Sequence, residues 1–141
     1  MKTKMLSFNL KSDQSELDTL CRKLEKVGSS FSLSKKCLFE INLILDELFS
    51  NIISYGFKDN LEHLVKIQII RENGTLTLCV EDDGIPFNPL KISALELPCD
   101  IQSYKIGGLG LHLVKKLTDQ VFYERCEGRN ILTLKKAIEK N

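Results

Sequence analysis

Apolar and polar positions change their period several times along the chain, and each change marks an element. "MLSFNL" reads as a short first strand. In "SDQSELDTLCRKLEKVG" the residues Leu17, Leu20, Cys21, Leu24 and Val27 form one apolar stripe at helical spacing. Asp13 with Glu16 three residues on predicts a capping-box start for that helix, and Gly28 predicts its end. A longer helix is expected from about Ser34 to about Tyr55, closed by Gly56, with Ile41, Leu45, Leu48 and Ile52 at the centre of its buried face. "LVKIQIIRENGTLTLCVED" switches to period two: Val65, Ile67 and Ile69 alternate with polar residues, Asn73-Gly74 supplies a turn, and Leu76, Leu78 and Val80 alternate again. "QVFYERCEGRNILTLKKA" predicts a second hairpin that turns near Gly128.

Between the hairpins, residues 84–106 hold all three prolines (Pro86, Pro89, Pro98) and little periodicity, although "PLKISAL" suits a helical turn. So long a segment in a compact domain is expected to be a functional lid or a mobile stretch. "GGLGLHLVKKLTD" then opens on glycines and continues as a helix, with Leu113, Val114 and Leu117 at helical spacing. The resulting order is β-α-α-β-β-lid-α-β-β. It predicts an α+β two-layer sandwich: a mostly antiparallel sheet with helices on one face. No repeat or linker divides the chain, so a single domain over 1–141 is expected.

Composition narrows the function classes. The 141 residues carry a net charge of +1, which gives no electrostatic case for nucleic acid. No apolar run is long enough to span a bilayer, and "MKTKMLSFNL" lacks the apolar core of a signal peptide, so a cytoplasmic protein is expected. The five cysteines are scattered and form no CxxC, as reduced thiols would be. His63 and His112 have no Cys or His partner at ligand spacing, which argues against a metal centre of that kind.

Three polar intrusions interrupt the apolar elements. In the long helix, Glu47 and Asn51 stand four residues apart beside Ile44, at the margin of the apolar stripe. They either face a cavity between helix and sheet or form a solvated flank; Asn42, Asp46 and Ser50 are expected to point to water. In "TLTLCVEDDGIPF", strand parity continues the inward face of Leu76, Leu78 and Val80 to Asp82, and turns Glu81 and Asp83 outward. An inward Asp is costly unless it is paired or holds a ligand, the alternative being a strand that ends in a solvated acidic turn. Gly84 lets the backbone pass close to whatever Asp82 holds. Third, Gly107, Gly108 and Gly110 precede a helix, whose free N–H groups suit phosphate.

Taken together, the E-x-x-x-N helix, the D-x-G strand end, the long lid and the G-x-G helix resemble, in order and spacing, the ATP-binding domain shared by histidine kinases, Hsp90-type chaperones, gyrase and MutL. The chain resembles most closely the small stand-alone branch, the RsbW-like anti-sigma factor serine/threonine kinases. The resemblance runs from the first strand nearly to the last residue, through the tail "GRNILTLKK". It implies Glu47 as general base, Asn51 as the amide holding Mg²⁺, Asp82 as acceptor for the adenine amino group and Gly84 beneath the adenine. Gly107, Gly108 and Gly110 would meet the ATP phosphates, and Lys105 either neutralises a phosphate or is solvated.

One departure stands out. Pro86 occupies the place of a second glycine in "DDGIPFNP", and it has no N–H to donate at the lid base. His112, Lys115 and Lys116 are expected at the surface. Neither a Walker A lysine motif nor the HRD and DFG set is present. The resemblance implies a kinase that phosphorylates a STAS-domain anti-sigma factor antagonist, with a sigma factor as a further partner and a homodimer as the assembly. The alternative is a non-catalytic, nucleotide-dependent module that sequesters its partner. The catalytic half of a histidine kinase is a third reading, opposed by the opening strand.

Overall fold

The computed structural model describes residues 3–88 and 112–138. The later part of the expected lid, with "PLKISAL", Lys105, Gly107, Gly108 and Gly110, lies outside the described residues. In chain order the elements are β1 (Lys4–Lys11), α1 (Glu16–Ser30), α2 (Lys35–Tyr55), β2 (Leu64–Glu72), β3 (Thr75–Asp82), β4 (Gln120–Cys126) and β5 (Arg129–Ala137). A helical stretch at 112–117 precedes β4. The strands make one sheet in the order β1-β2-β3-β5-β4, antiparallel at every junction. The expected α+β sandwich is therefore the observed fold.

Alternation sets the register. Leu10 stands opposite Val65, Ile67 opposite Val80, and Leu78 opposite Leu134, so the apolar residues of four strands share one face. Val65, Ile67, Leu78, Val80, Leu132, Leu134 and Leu10 on that face are buried, and Leu20, Leu24, Ile41, Leu45 and Leu48 of the two helices close over them. Each such side chain contributes roughly 1.5–3 kcal/mol by leaving water. The opposite face carries Lys66, Gln68, Thr77 and Lys135 at the outward positions of the same registers. Both expected hairpins form. Asn73 turns the first at φ 57°, and Glu127 and Gly128 turn the second at φ 50° and 77°.

The long helix begins and ends close to where the sequence predicts. Ser34 caps it, its Oγ accepting from the Cys37 N–H at 3.0 Å, and the N–H of Gly56 closes the last turn on the Ile52 carbonyl at 2.7 Å. At its N-terminal half, Glu40 pairs with Lys136 of β5 at 2.8 Å. The same ammonium donates to the Leu117 carbonyl at 2.9 Å and so ties the 112–117 stretch to sheet and helix together.

Two expectations for α1 are corrected. The reciprocal capping box is not made: Asp13 Oδ1 accepts from the Ser15 N–H, while Glu16 Oε2 accepts from the Lys11 N–H at 2.9 Å. The chain leaving β1 has its own unpaired donor, and Glu16 answers that one first. Gly28 does not end the helix, which continues to Ser30. Gly28 is buried, and a Cβ there would stand 2.8 Å from Leu38 Cδ2, so it marks the close approach of α1 to α2. In the 112–117 stretch Val114 is buried, Leu117 is half-buried and Leu113 faces out, so the stripe is narrower than its spacing suggests.

Leu45→Ala, which empties a fully buried site between α2 and the sheet, is expected to lower the free energy of unfolding by about 2–5 kcal/mol. Lys66→Ala on the outer face is expected to change it by no more than about 0.5 kcal/mol. Urea unfolding followed by circular dichroism measures both, and equal effects would place the core elsewhere.

Candidate active site

Asn51 is the buried polar residue of α2, only 5% exposed, although a helical stripe of its neighbours would accept leucine there. Its Nδ2 donates to the main-chain carbonyl of Glu47 at 2.8 Å and to Glu47 Oε2 at 2.7 Å. Both donor hydrogens are thereby used on α2 itself, and among the described residues Oδ1 accepts no hydrogen bond. Glu47 is half-buried, not solvated: burial pushes its carboxyl above the ordinary glutamate value, Asp46 pushes it the same way, and the Asn51 bond opposes the rise. The pair is therefore not a solvated flank: Asn51 is buried and Glu47 half-buried. Asp46 is exposed as expected, but Asn42 is half-buried and donates to Cys21 Sγ at 3.6 Å across the α1–α2 seam.

Strand parity holds at the end of β3. Leu76, Leu78, Val80 and Asp82 are buried in alternation, and Asp82 is 2% exposed. Its Oδ1 accepts from the Gly84 N–H at 2.8 Å and from Asn130 Nδ2 at 3.0 Å. Among the described residues Oδ2 accepts no hydrogen bond. Desolvation is the largest influence on this carboxyl and raises its pKa, and the two donors at Oδ1 oppose the rise. A buried acceptor with one oxygen saturated and one unused suits a ligand that brings an N–H donor.

Gly84 has a more local reason than ligand approach. A Cβ there would stand 2.2 Å from the Gly56 carbonyl oxygen at the end of α2, and that oxygen already accepts from the Ile85 N–H at 2.9 Å. The D-x-G turn is thus pressed against the C-terminus of the helix that carries Glu47 and Asn51, and the two halves of the site are held in one frame. The rings of Tyr55 and Phe87 meet across the same seam at 6.2 Å between centroids.

Several residues of this frame escaped the sequence reading. Asn130 of β5, 3% exposed, bonds Asp82, and Arg125 of β4 donates to the Gly84 carbonyl at 2.7 Å. Tyr123 of β4 donates to Asn130. The parity rule that selected Asp82 would have selected Asn130 too, since it precedes Leu132 and Leu134 on the inward face of "NILTL". On the outward side, Asp83 and Asp59 flank His63 at 3.1 and 2.7 Å, and Phe57 stacks on its ring at 4.3 Å. Asp59 is the main cause of the raised His63 pKa, with Asp83 adding to it. A cavity of about 470 Å³ opens there, lined by His63, Asp83 and Pro86 but not by Asp82.

His112, Lys115 and Lys116 are exposed, as expected. Among the described residues no group of three or more His, Cys, Asp and Glu makes a metal site, no disulfide joins Cys21, Cys37, Cys79 and Cys126, and no helix is long and apolar enough to cross a membrane.

The profile of the histidine kinase-like ATPase domain matches residues 10–136. Among curated proteins, the serine/threonine-protein kinase BtrW of Bordetella bronchiseptica is 25% identical over 111 residues, covering 79% of this chain and 78% of that one. The serine-protein kinase RsbW of Listeria monocytogenes is 25% identical over 83% of this chain and 77% of its own. The anti-sigma F factor of Geobacillus stearothermophilus is 25% identical over 62% of this chain and 60% of its own. Among solved structures, the blue-light activated histidine kinase of Erythrobacter litoralis superposes with a TM-score of 0.54 at 21% identity, over 75% of this chain and 32% of that one, a likeness of fold. With the profile spanning nearly the whole chain, this protein belongs to the histidine kinase-like ATPase domain family.

Proposed function

We propose that this protein is an ATP-dependent serine/threonine protein kinase of the anti-sigma type, and that its substrate is a STAS-domain anti-sigma factor antagonist. The observation that supports it best is the pairing of a half-buried Glu47 with the buried Asn51 on one helix, in a frame shared with Asp82. Relatives named serine-protein kinases and an anti-sigma factor support the class of activity and of partner. A sigma factor as second partner, a homodimer and a cytoplasmic location belong to the same reading.

Each residue has a distinct task in it. Asp82 Oδ2 accepts the amino group of adenine. Asn51 Oδ1, freed by the two bonds its Nδ2 makes to Glu47, fits a hard divalent cation, and one neutral amide leaves most of the coordination to phosphate and water, as Mg²⁺ prefers. Mg²⁺, when bound, supplies neutralisation of the phosphate charge. Gly107, Gly108 and Gly110 offer main-chain N–H groups to the phosphates, with Lys105 beside them. Glu47 keeps Oε1 clear of Asn51 and takes the proton of the Ser or Thr hydroxyl as that oxygen bonds to the γ-phosphorus and the bridging oxygen leaves with ADP.

Glu47→Gln is expected to keep nucleotide and partner binding while transfer of labelled γ-phosphate to the STAS-domain protein falls by roughly 10²–10⁴. Asn51→Ala is expected to lose Mg²⁺-dependent binding and transfer together. Equal transfer by wild type and Glu47→Gln would move the base elsewhere. A wild type that binds such a partner and transfers nothing would leave the sequestering module as the function. Because burial raises the Glu47 carboxyl of the free protein, the acid limb of kcat/KM should lie above the ordinary glutamate value: activity is lost as pH falls through the raised pKa, where the base becomes protonated. Glu47→Gln should abolish that limb, and a limb unchanged in the variant would assign it to another group.

A further inference from the structure

Asn130 occupies an inward position of β5 where Leu132 and Leu134 follow, and a third apolar residue would fit the layer. It instead uses its entire hydrogen-bonding capacity. Nδ2 donates to Asp82 Oδ1 at 3.0 Å and to the Ile85 carbonyl at 2.8 Å. Oδ1 accepts from the Phe87 N–H at 3.1 Å and from the Tyr123 hydroxyl, whose oxygen accepts from the same Phe87 N–H at 3.2 Å. The amide has one orientation only. Reversed, its oxygen would face the Asp82 and Ile85 oxygens, and its NH₂ would face the Phe87 N–H. No hydroxyl side chain has two hydrogens to give, so none could serve Asp82 and Ile85 at once.

We propose that Asn130, braced by Tyr123, is a positioning residue that ties the base-binding carboxylate to the backbone of the turn at 85–87. This rests on Asp82 being the adenine acceptor. By occupying Oδ1, Asn130 leaves Oδ2 as the acceptor and fixes the plane of the carboxylate. By holding the Ile85 carbonyl and the Phe87 N–H, it makes any displacement of 85–87 a displacement of Asp82's partner. The capture of the base and the placing of the turn at 85–87 are thus joined on one side chain, with β4 supplying the brace.

The test combines calorimetric titration with ATP and ADP, amide exchange without nucleotide, and circular dichroism for folding. Tyr123→Phe, which keeps the ring and removes the brace, is expected to weaken ATP and ADP equally, by about 3- to 10-fold. Asn130→Asp sets two carboxylates about 3 Å apart, so one must hold a proton for the contact to survive. Its nucleotide affinity should fall by roughly tenfold or more between about pH 6 and about pH 8, while wild type stays level. In the double variant Tyr123→Phe/Asn130→Leu the Phe87 amide loses both its acceptors and should exchange severalfold faster. If Asp82→Asn loses nucleotide while folded Tyr123→Phe and Asn130→Asp bind as wild type does at every pH, the tie is overturned and the base site stands. Should Asp82→Asn itself bind normally, the base-site reading falls and the proposal with it. An unchanged Phe87 exchange rate in the folded double variant overturns the tie independently of any nucleotide, and Tyr123→Phe decides if the other variants fail to fold.

Discussion

A carboxylate buried at the end of β3 is the constraint around which the site is organised. Asp82 continues the inward row of Leu76, Leu78 and Val80, where an ionised group loses its water. Two N–H donors compensate one oxygen, one from the turn that follows and one from β5. To deliver them, the turn must be tight enough to bring Gly84 back onto Asp82, and β5 must lie beside β3. The strand order β1-β2-β3-β5-β4 provides the second condition. The end of α2 provides the first, because the Gly56 carbonyl holds the Ile85 N–H and leaves no room for a side chain at Gly84.

Charge and geometry are therefore linked across the molecule. The helix that buries Ile41, Leu45 and Leu48 against the sheet also presents Glu47 and Asn51, and its last carbonyl positions the Asp82 turn. Core packing thus fixes where the polar groups stand, and a shift of α2 along the sheet would misplace both halves of the site. The outward side of the same turn is held separately, by Asp83 on His63 and by Arg125 on the Gly84 carbonyl. The turn that carries Asp82 is thus held at its side chain and at its main chain together.

Much of this was legible in the sequence, because periodicity and parity are local. The 3.6-residue repeat of α2 and the two-residue repeat of β2 and β3 placed Ile41 through Ile52 and Leu76 through Asp82 on the faces they occupy. What was not legible depends on pairs distant in the chain. Nothing adjacent to Gly28 says that Leu38 will press on it, and nothing adjacent to Gly84 says that Gly56 will. Glu16 looked like half of a capping box because the competing donor, the Lys11 N–H, becomes available only once β1 ends where it does. Asn130 was within reach of parity, but a single polar residue at a strand's start reads as a turn residue until Asp82 stands opposite it.

The family assignment and the frame built on Asp82, Asn51 and Glu47 converge on one central claim: that this frame holds an adenine nucleotide with its base on Asp82 and its phosphates toward Asn51. A crystal structure of the full chain with Mg²⁺ and a non-hydrolysable ATP analogue tests it most directly. The account predicts the adenine amino group within hydrogen-bond distance of Asp82 Oδ2, with Oδ1 still held by Gly84 and Asn130, and the cation on Asn51 Oδ1. A base bound elsewhere, or a cation that ignores Asn51, would contradict it.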